Sequence, residues 1–232
     1  MPENWEDFIR DLTELSKELR QALAETMEEE KKDVEKDLVL EFLKKLGIKY
    51  ELTEYNKRVV VDAVQKKECK GYPIERGVYE KDGKEIEILK FNGIGILKIK
   101  SNNREVHEIP LVSAYEITCK DTYFYIHYAW YSPDLKMLRQ KKGFVDFLNK
   151  HNVRFEERAN VILFKGEPVA ISSSHLILKL DDNERVELIR PKNTDYYNFV
   201  YVKGETEYVY SELKGVEPKY LNGYFVLVFE NK

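Results

Sequence analysis

One stretch of this 232-residue chain is written twice. Val39, Phe42, Leu43 and Leu46 reappear 105 residues later as Phe144, Phe147, Leu148 and His151. Spacings of three and four put each set on one side of a helix, so both copies are expected to bury the same stripe. Gly47 and Asn152 stand at the same place just beyond it. These two residue types most readily take the left-handed conformation that ends a helix. Ile48 and Tyr50, like Val153 and Phe155, then alternate as a strand begins.

The likeness resumes downstream. Ile96-Leu97-Lys98-Ile99 recurs 81 residues on as Ile177-Leu178-Lys179-Leu180, and Val106 to Pro110 parallels Val186 to Pro191. The shorter offset predicts an insertion in the first copy, within 63–90. Two matches in one order, with equivalent helix stops, indicate a tandem duplication.

The expected fold class is α+β: an N-terminal amphipathic helix followed by two related helix-plus-antiparallel-sheet units. The boundaries are a helical arm at 1–33, a first unit at 34–131 and a second at 132–232. In the arm, Trp5, Phe8, Leu12, Leu15, Leu19 and Ala22 form a heptad seam, which either docks on its own domain or pairs with a second copy. Strands are predicted near 48–54, 58–64, 85–90, 94–100, 104–109, 114–119 and 122–131 in the first unit. The second has them near 153–156, 160–164, 168–171, 175–181, 184–190, 196–203, 206–211 and 223–230. Ser132-Pro133-Asp134 is expected to open the second helix, with a serine cap, a first-turn proline and an acid at the positive helix end. Such units suit either a closed barrel or an open saddle.

Composition narrows the functional classes. No run approaches the roughly 18 apolar residues of a membrane span, and the charged N-terminal stretch is not a secretory signal. A cytoplasmic location is expected. The 28 Lys against 3 Gln, with abundant Glu, point to a thermophilic archaeal or archaeal-viral source, although 13 Asn run against that signal. Net charge is −7 over residues 1–56, +6 over 57–180 and −3 over 181–232, which excludes a uniformly basic nucleic-acid coat. Cys69 and Cys119 are too few for a disulfide scaffold or a four-ligand zinc site. Cys69, among Lys66, Lys67 and Lys70, reads as a surface thiol.

No phosphate-binding, dinucleotide, zinc-protease or nucleophile-elbow motif is present. The four histidines share no metal-ligand spacing, so no metal and no cofactor is expected. The alternative to a binding protein is a metal-dependent nuclease using Asp62, Glu85 and Glu87, since such enzymes gather carboxylates at strand ends. Against it, Glu87 and Lys90 fall on opposite faces of a regular strand. Ser174 and His175 are adjacent in sequence and cannot form a nucleophile–base couple in a strand.

The residues from Tyr123 to Tyr131 are aromatic on both faces of one strand. Phe124, Ile126, Tyr128 and Trp130 form one row; Tyr123, Tyr125, His127 and Tyr131 form the other. Tyr197 and Tyr201 belong to a similar surplus in the second unit. Rings beside cations suit single-stranded nucleic acid, with Lys136, Arg139 and Lys142 as a phosphate-tracking strip on the second helix. They equally suit a protein interface, or they fill a core with hydroxyls at its rim. The expected function is non-enzymatic binding or assembly, with a protein or single-stranded nucleic acid as partner and self-association through the arm.

Overall fold

The computed structural model describes residues 34–53, 57–112, 114–128, 135–158 and 160–230. The arm residues Trp5, Phe8, Leu12, Leu15 and Leu19, and also Tyr131 and the Ser132-Pro133-Asp134 cap, lie outside the described residues.

Among the described residues, two helices are each followed by nine strands. The first half has α1 (Val34–Lys45), β1 (Glu51–Thr53), β2 (Arg58–Asp62), β3 (Val64–Lys70), β4 (Glu75–Lys81), β5 (Lys84–Phe91), β6 (Ile94–Lys100), β7 (Val106–Leu111), β8 (Ala114–Cys119) and β9 (Tyr123–Tyr128). The second has α2 (Leu135–Lys150), β10 (Glu156–Arg158), β11 (Val161–Lys165), β12 (Glu167–Ile171), β13 (His175–Asp181), β14 (Glu184–Ile189), β15 (Tyr196–Lys203), β16 (Thr206–Lys214), β17 (Val216–Leu221) and β18 (Tyr224–Phe229). In the first half a four-stranded sheet has the order β1-β2-β9-β8 and a five-stranded sheet runs from β3 to β7 in sequence. In the second the orders are β10-β11-β18-β17 and β12 to β16 in sequence. The class is α+β, dominated by antiparallel sheet.

The predicted insertion within 63–90 is not there. Glu51 and Glu156 begin the first strands, 105 residues apart, and Tyr123 and Tyr224 begin the last, 101 apart. The supposed insertion is β3 and β4, and both have counterparts, β12 and β13. Matching Ile96–Ile99 to Ile177–Leu180 therefore paired β6 with β13, two strands out of step. The physical reason is that apolar strands of one sheet share the period-two pattern, so any of them aligns with any other. Meanwhile β3 reads as loop, being Lys-rich and exposed along most of its length.

The helix ends follow the sequence reading. Gly47 and Asn152 have φ of 65° and 54°. The Ile48 and Gly47 amides donate to the Leu43 and Lys44 carbonyls at 2.9 and 3.0 Å; those of Val153 and Asn152 donate to Leu148 and Asn149 at 3.0 and 3.1 Å. Both ends are the same paired-bond cap. Val39 and Leu43 of α1 lie against Val59, Ile86 and Phe124; Phe144 and Leu148 of α2 lie against Ile162, Val186 and Phe225, all of them fully buried. Burial of each such side chain contributes about 1.5–3 kcal/mol.

Pro110 in β7, Pro168 in β12 and Pro218 in β17 all sit on edge strands, where a missing N–H costs no ladder bond. Bulged, Lys-rich β3 guards another edge. Cys69 is no surface thiol: it is bonded to Cys119, joining the edge of one sheet to the edge of the other. Two cysteines are too few for a scaffold but enough for one staple.

The halves meet front to back. Leu89, Phe91, Ile94 and Ile96 on the outer face of the first five-stranded sheet pack on Val161, Leu163, Tyr224 and Val226 of the second four-stranded sheet. Beside them is a buried ion pair, Glu35 of α1 with Arg158 of β10, 3.6 Å apart and both at most 2% exposed. Arg158 also donates to the Pro110 carbonyl and to Glu156, each at 2.6 Å, and the Val112 amide donates to Glu35 at 3.0 Å. Glu108 of the first half accepts from Lys165 at 3.0 Å and from Tyr224 at 2.9 Å in the second. Burial alone would raise the Glu108 carboxyl, but those two bonds and the charges of Lys165 and Lys98 outweigh it and hold it below its usual range.

Candidate functional site

Strand β9 alternates strictly between half-buried and buried residues. Phe124, Ile126 and Tyr128 enter the first core, while Tyr123, Tyr125 and His127 form one row on the outer face. Across the ladder, Tyr123, Tyr125 and His127 oppose Asp62, Val60 and Arg58 of β2. On the other side, Tyr125 and His127 oppose Thr118 and Glu116 of β8. The Arg58 guanidinium lies over the Tyr125 ring, 4.2 Å from its centre. The Tyr125 hydroxyl donates to Glu116 Oε1 at 3.2 Å, and the Thr118 hydroxyl donates to the same oxygen at 2.6 Å. The Thr118 bond, joined by the Tyr125 bond and the charges of Arg58 and His127, keeps the Glu116 carboxyl below its usual range against a smaller opposing effect of burial.

The same ladder in the second half is chemically different. Arg58 opposite His127 has Val161 opposite Val228 as its counterpart, and Val60 opposite Tyr125 has Leu163 opposite Val226. The second-half residues are buried in the joint between the halves or packed against it. Polar and aromatic side chains thus stand where the second ladder has aliphatic ones. A sheet face that packs on another sheet wants Val and Leu; one that meets water or a polar partner carries rings with hydroxyls and charges.

Other sequence-derived candidates are placed elsewhere. Tyr201 is fully buried in the second core, so it is a packing residue and not a surface ring. Tyr197 is half-buried against that core, with the Arg190 guanidinium 5.7 Å from its ring centre. Tyr208 and Tyr210 pack on His151, Phe144 and Phe147. These rings face inward because β15 and β16 turn that side toward α2. Arg139 and Lys142 are exposed on α2, and the Lys136 side chain lies outside the described residues. Lys141, next to Lys142 in sequence, is buried and bonded to Glu157 at 2.6 Å.

Asp62 ends β2 in one sheet, while Glu85 and Glu87 lie on β5 in the other. Glu87 is engaged by Arg76, and the Asp62 backbone carbonyl accepts from Lys81 at 2.6 Å. Among the described residues, no three His, Cys, Asp or Glu side chains form a group able to hold a metal ion. The Ser172 hydroxyl donates to the His175 carbonyl at 3.0 Å and accepts from the His175 amide at 2.9 Å, as in a turn, so it does not meet the imidazole, whose Nε2 lies 3.1 Å from Glu187. Arg58, Glu116 and Thr118 escaped the sequence reading. They reach Tyr125 across strands, and no local pattern announces a cross-strand neighbour.

Among the described residues no helix is long and apolar enough to cross a membrane. Compared with known proteins, the chain matches no family model, no curated protein and no solved structure.

Proposed function

We propose that this chain is a non-enzymatic binding and assembly protein, made of two copies of one helix-plus-sheet unit, that holds a protein partner on the outer face of its first four-stranded sheet. The observation that carries this reading is the half-buried row of Tyr123, Tyr125 and His127, set where the other half has Tyr224, Val226 and Val228 in or against the joint. Repetition of the strand order supports the duplication. A protein is favoured over single-stranded nucleic acid because the rings are bordered by the carboxylates of Glu51, Asp62 and Glu116, which repel phosphate, and because Arg58 is already stacked on Tyr125. Tyr and Arg are the residues most enriched at protein contact centres. Self-association through Trp5, Phe8, Leu12, Leu15 and Leu19 belongs to the same reading. So does a thermophilic, intracellular setting, since hyperthermophile cytosolic proteins retain disulfides that most cytosols reduce.

Three measurements test this. A photo-crosslinking residue at position 123 should trap a partner protein in lysate of the native source, and the yield should fall when Tyr125→Ala and His127→Ala are added. Fluorescent oligothymidine and oligouridine, titrated at two salt concentrations, should show no binding that depends on Tyr125; binding that does depend on it transfers the face to nucleic acid. Cleavage of labelled DNA or RNA with Mg²⁺ or Mn²⁺, abolished by Asp62→Ala, would replace the proposal with the nuclease reading. For the arm, Leu12→Asp with Leu19→Asp should convert a dimer to monomers by light scattering; a wild type already monomeric removes self-association.

A further inference from the structure

We propose that the Cys69–Cys119 disulfide is a redox-operated clasp that sets whether the Tyr125 face is ordered for binding; this rests on reading that face as the contact surface. Cys69 lies on β3, at the edge of the five-stranded sheet, and Cys119 on β8, at the edge of the four-stranded sheet. Among the described residues the two strands share no ladder; their link is the bond between sulfurs 50 residues apart.

Each strand needs that link. In β3 all residues are exposed except Gln65 and Cys69, and its pairing with β4 shifts register twice. At its near end Gln65 donates to the Tyr79 hydroxyl at 3.1 Å, which donates to the Lys120 carbonyl at 3.0 Å. The far end is fastened by Cys69. In β8, Cys119 adjoins Thr118, whose hydroxyl donates to Glu116, the carboxylate that also accepts from the Tyr125 hydroxyl. Anchoring Cys119 therefore anchors the polar frame around Tyr125.

The second half closes the same place without sulfur. There β12 ends in Ile171, paired with Leu176, and Tyr220 of β17 pairs with Phe225 as Cys119 pairs with Phe124. Gly77 stands where that half has Leu176, and a Cβ on Gly77 would run into the Cys69 sulfur. The first half thus has a bond that can be opened where the second has an apolar plug. Both cysteines are half-buried, and a small dithiol opens such a bond by exchange. A thiolate of the dithiol attacks one sulfur and breaks the Cys69–Cys119 bond, giving a mixed disulfide. The second thiol of the reagent then displaces the protein sulfur. Two electrons pass to the protein, both cysteines end as protonated thiols, and the reagent leaves as its cyclic disulfide.

The test compares the full chain oxidised and treated with dithiothreitol, by hydrogen exchange and by mass-mapped nitration of Tyr125 with tetranitromethane. Reduction should speed exchange in 64–70 and 114–119 by up to about a thousandfold, the chain-entropy value of a 50-residue closure. Nitration of Tyr125 should rise several-fold, with 161–229 unchanged, and reoxidation should restore both. A Cys69→Ser/Cys119→Ser variant should behave as the reduced protein and ignore dithiothreitol. Equal exchange in the two states overturns the clasp, and so does faster exchange throughout both halves, which would mean a staple for the whole fold. Neither readout involves a partner. Failure of the crosslinking test therefore removes the contact reading alone, and failure here removes the clasp alone.

Discussion

Replacing Arg158 by Met should loosen the chain where its halves meet. The guanidinium is 2% exposed and lies 3.6 Å from the equally buried Glu35 carboxylate. Its removal takes a cation out of a dry contact and deprives the Pro110 carbonyl of a 2.6 Å bond. Breaking one side of a buried pair costs about 3–5 kcal/mol, whereas exchanging both partners for apolar residues of similar volume is often neutral or better. The expected values are therefore about 3–5 kcal/mol for Arg158→Met and for Glu35→Leu singly. The double variant should lose about 2–6 kcal/mol, less than the two single losses together, the cost of leaving the Pro110 carbonyl and the Val112 amide without their partners. Guanidinium unfolding followed by far-ultraviolet circular dichroism gives all three numbers and hence the coupling energy. Losses that simply add, or an Arg158→Met effect under about 1 kcal/mol, would refute the reasoning and show that aliphatic packing alone holds the joint.

Gly77→Ala should cost about 1–3 kcal/mol by overpacking and raise the free-thiol count in Ellman titration, because the new methyl takes the space of the Cys69 sulfur. Tyr201→Ala should cost about 3–5 kcal/mol and leave partner crosslinking intact in the folded fraction, since the ring is core. Tyr125→Ala should do the reverse, losing crosslinking with about 1 kcal/mol or less of stability, as a half-buried ring outside the core and under one cation implies. For Glu108, whose folded carboxyl titrates below its ordinary value, the sign is that of a stabilising carboxylate. Its contribution is complete above the unfolded value of about 4.3 and is lost as pH falls through the lower folded value. Melting temperature measured downward from neutral pH should fall less steeply in acid for Glu108→Gln than for the wild type; parallel slopes would remove Glu108 from the account.

Local signals were legible where chemistry is local. Gly47 and Asn152 end their helices as their conformational freedom requires, and Val39, Leu43, Phe144 and Leu148 are buried as their spacing demands. Along β9, alternation separated the core row from the outer row correctly. Strand β3 was hidden because an exposed edge needs no apolar period, and β17 because Pro218 reads as a break unless the strand is known to be an edge. The tyrosines of β15 and β16 misled for a different reason. Tyrosine suits a core rim and a contact surface equally, and only the position of α2 decides between them. The cysteine pairing depended on two sheet edges meeting 50 residues apart in sequence, which no spacing reveals.

A front-to-back junction has direction. Two identical patches joined face to face would consume each other, whereas this arrangement spends the front of one module on the back of the next and leaves an unlike surface at either extremity. The modules are therefore not interchangeable. A permuted gene encoding the second module first would strand the Val161, Leu163, Val226 cluster in water and offer Arg58 and His127 to a greasy wall. One ladder accordingly carries Arg58 and His127 where the other carries Val161 and Val228.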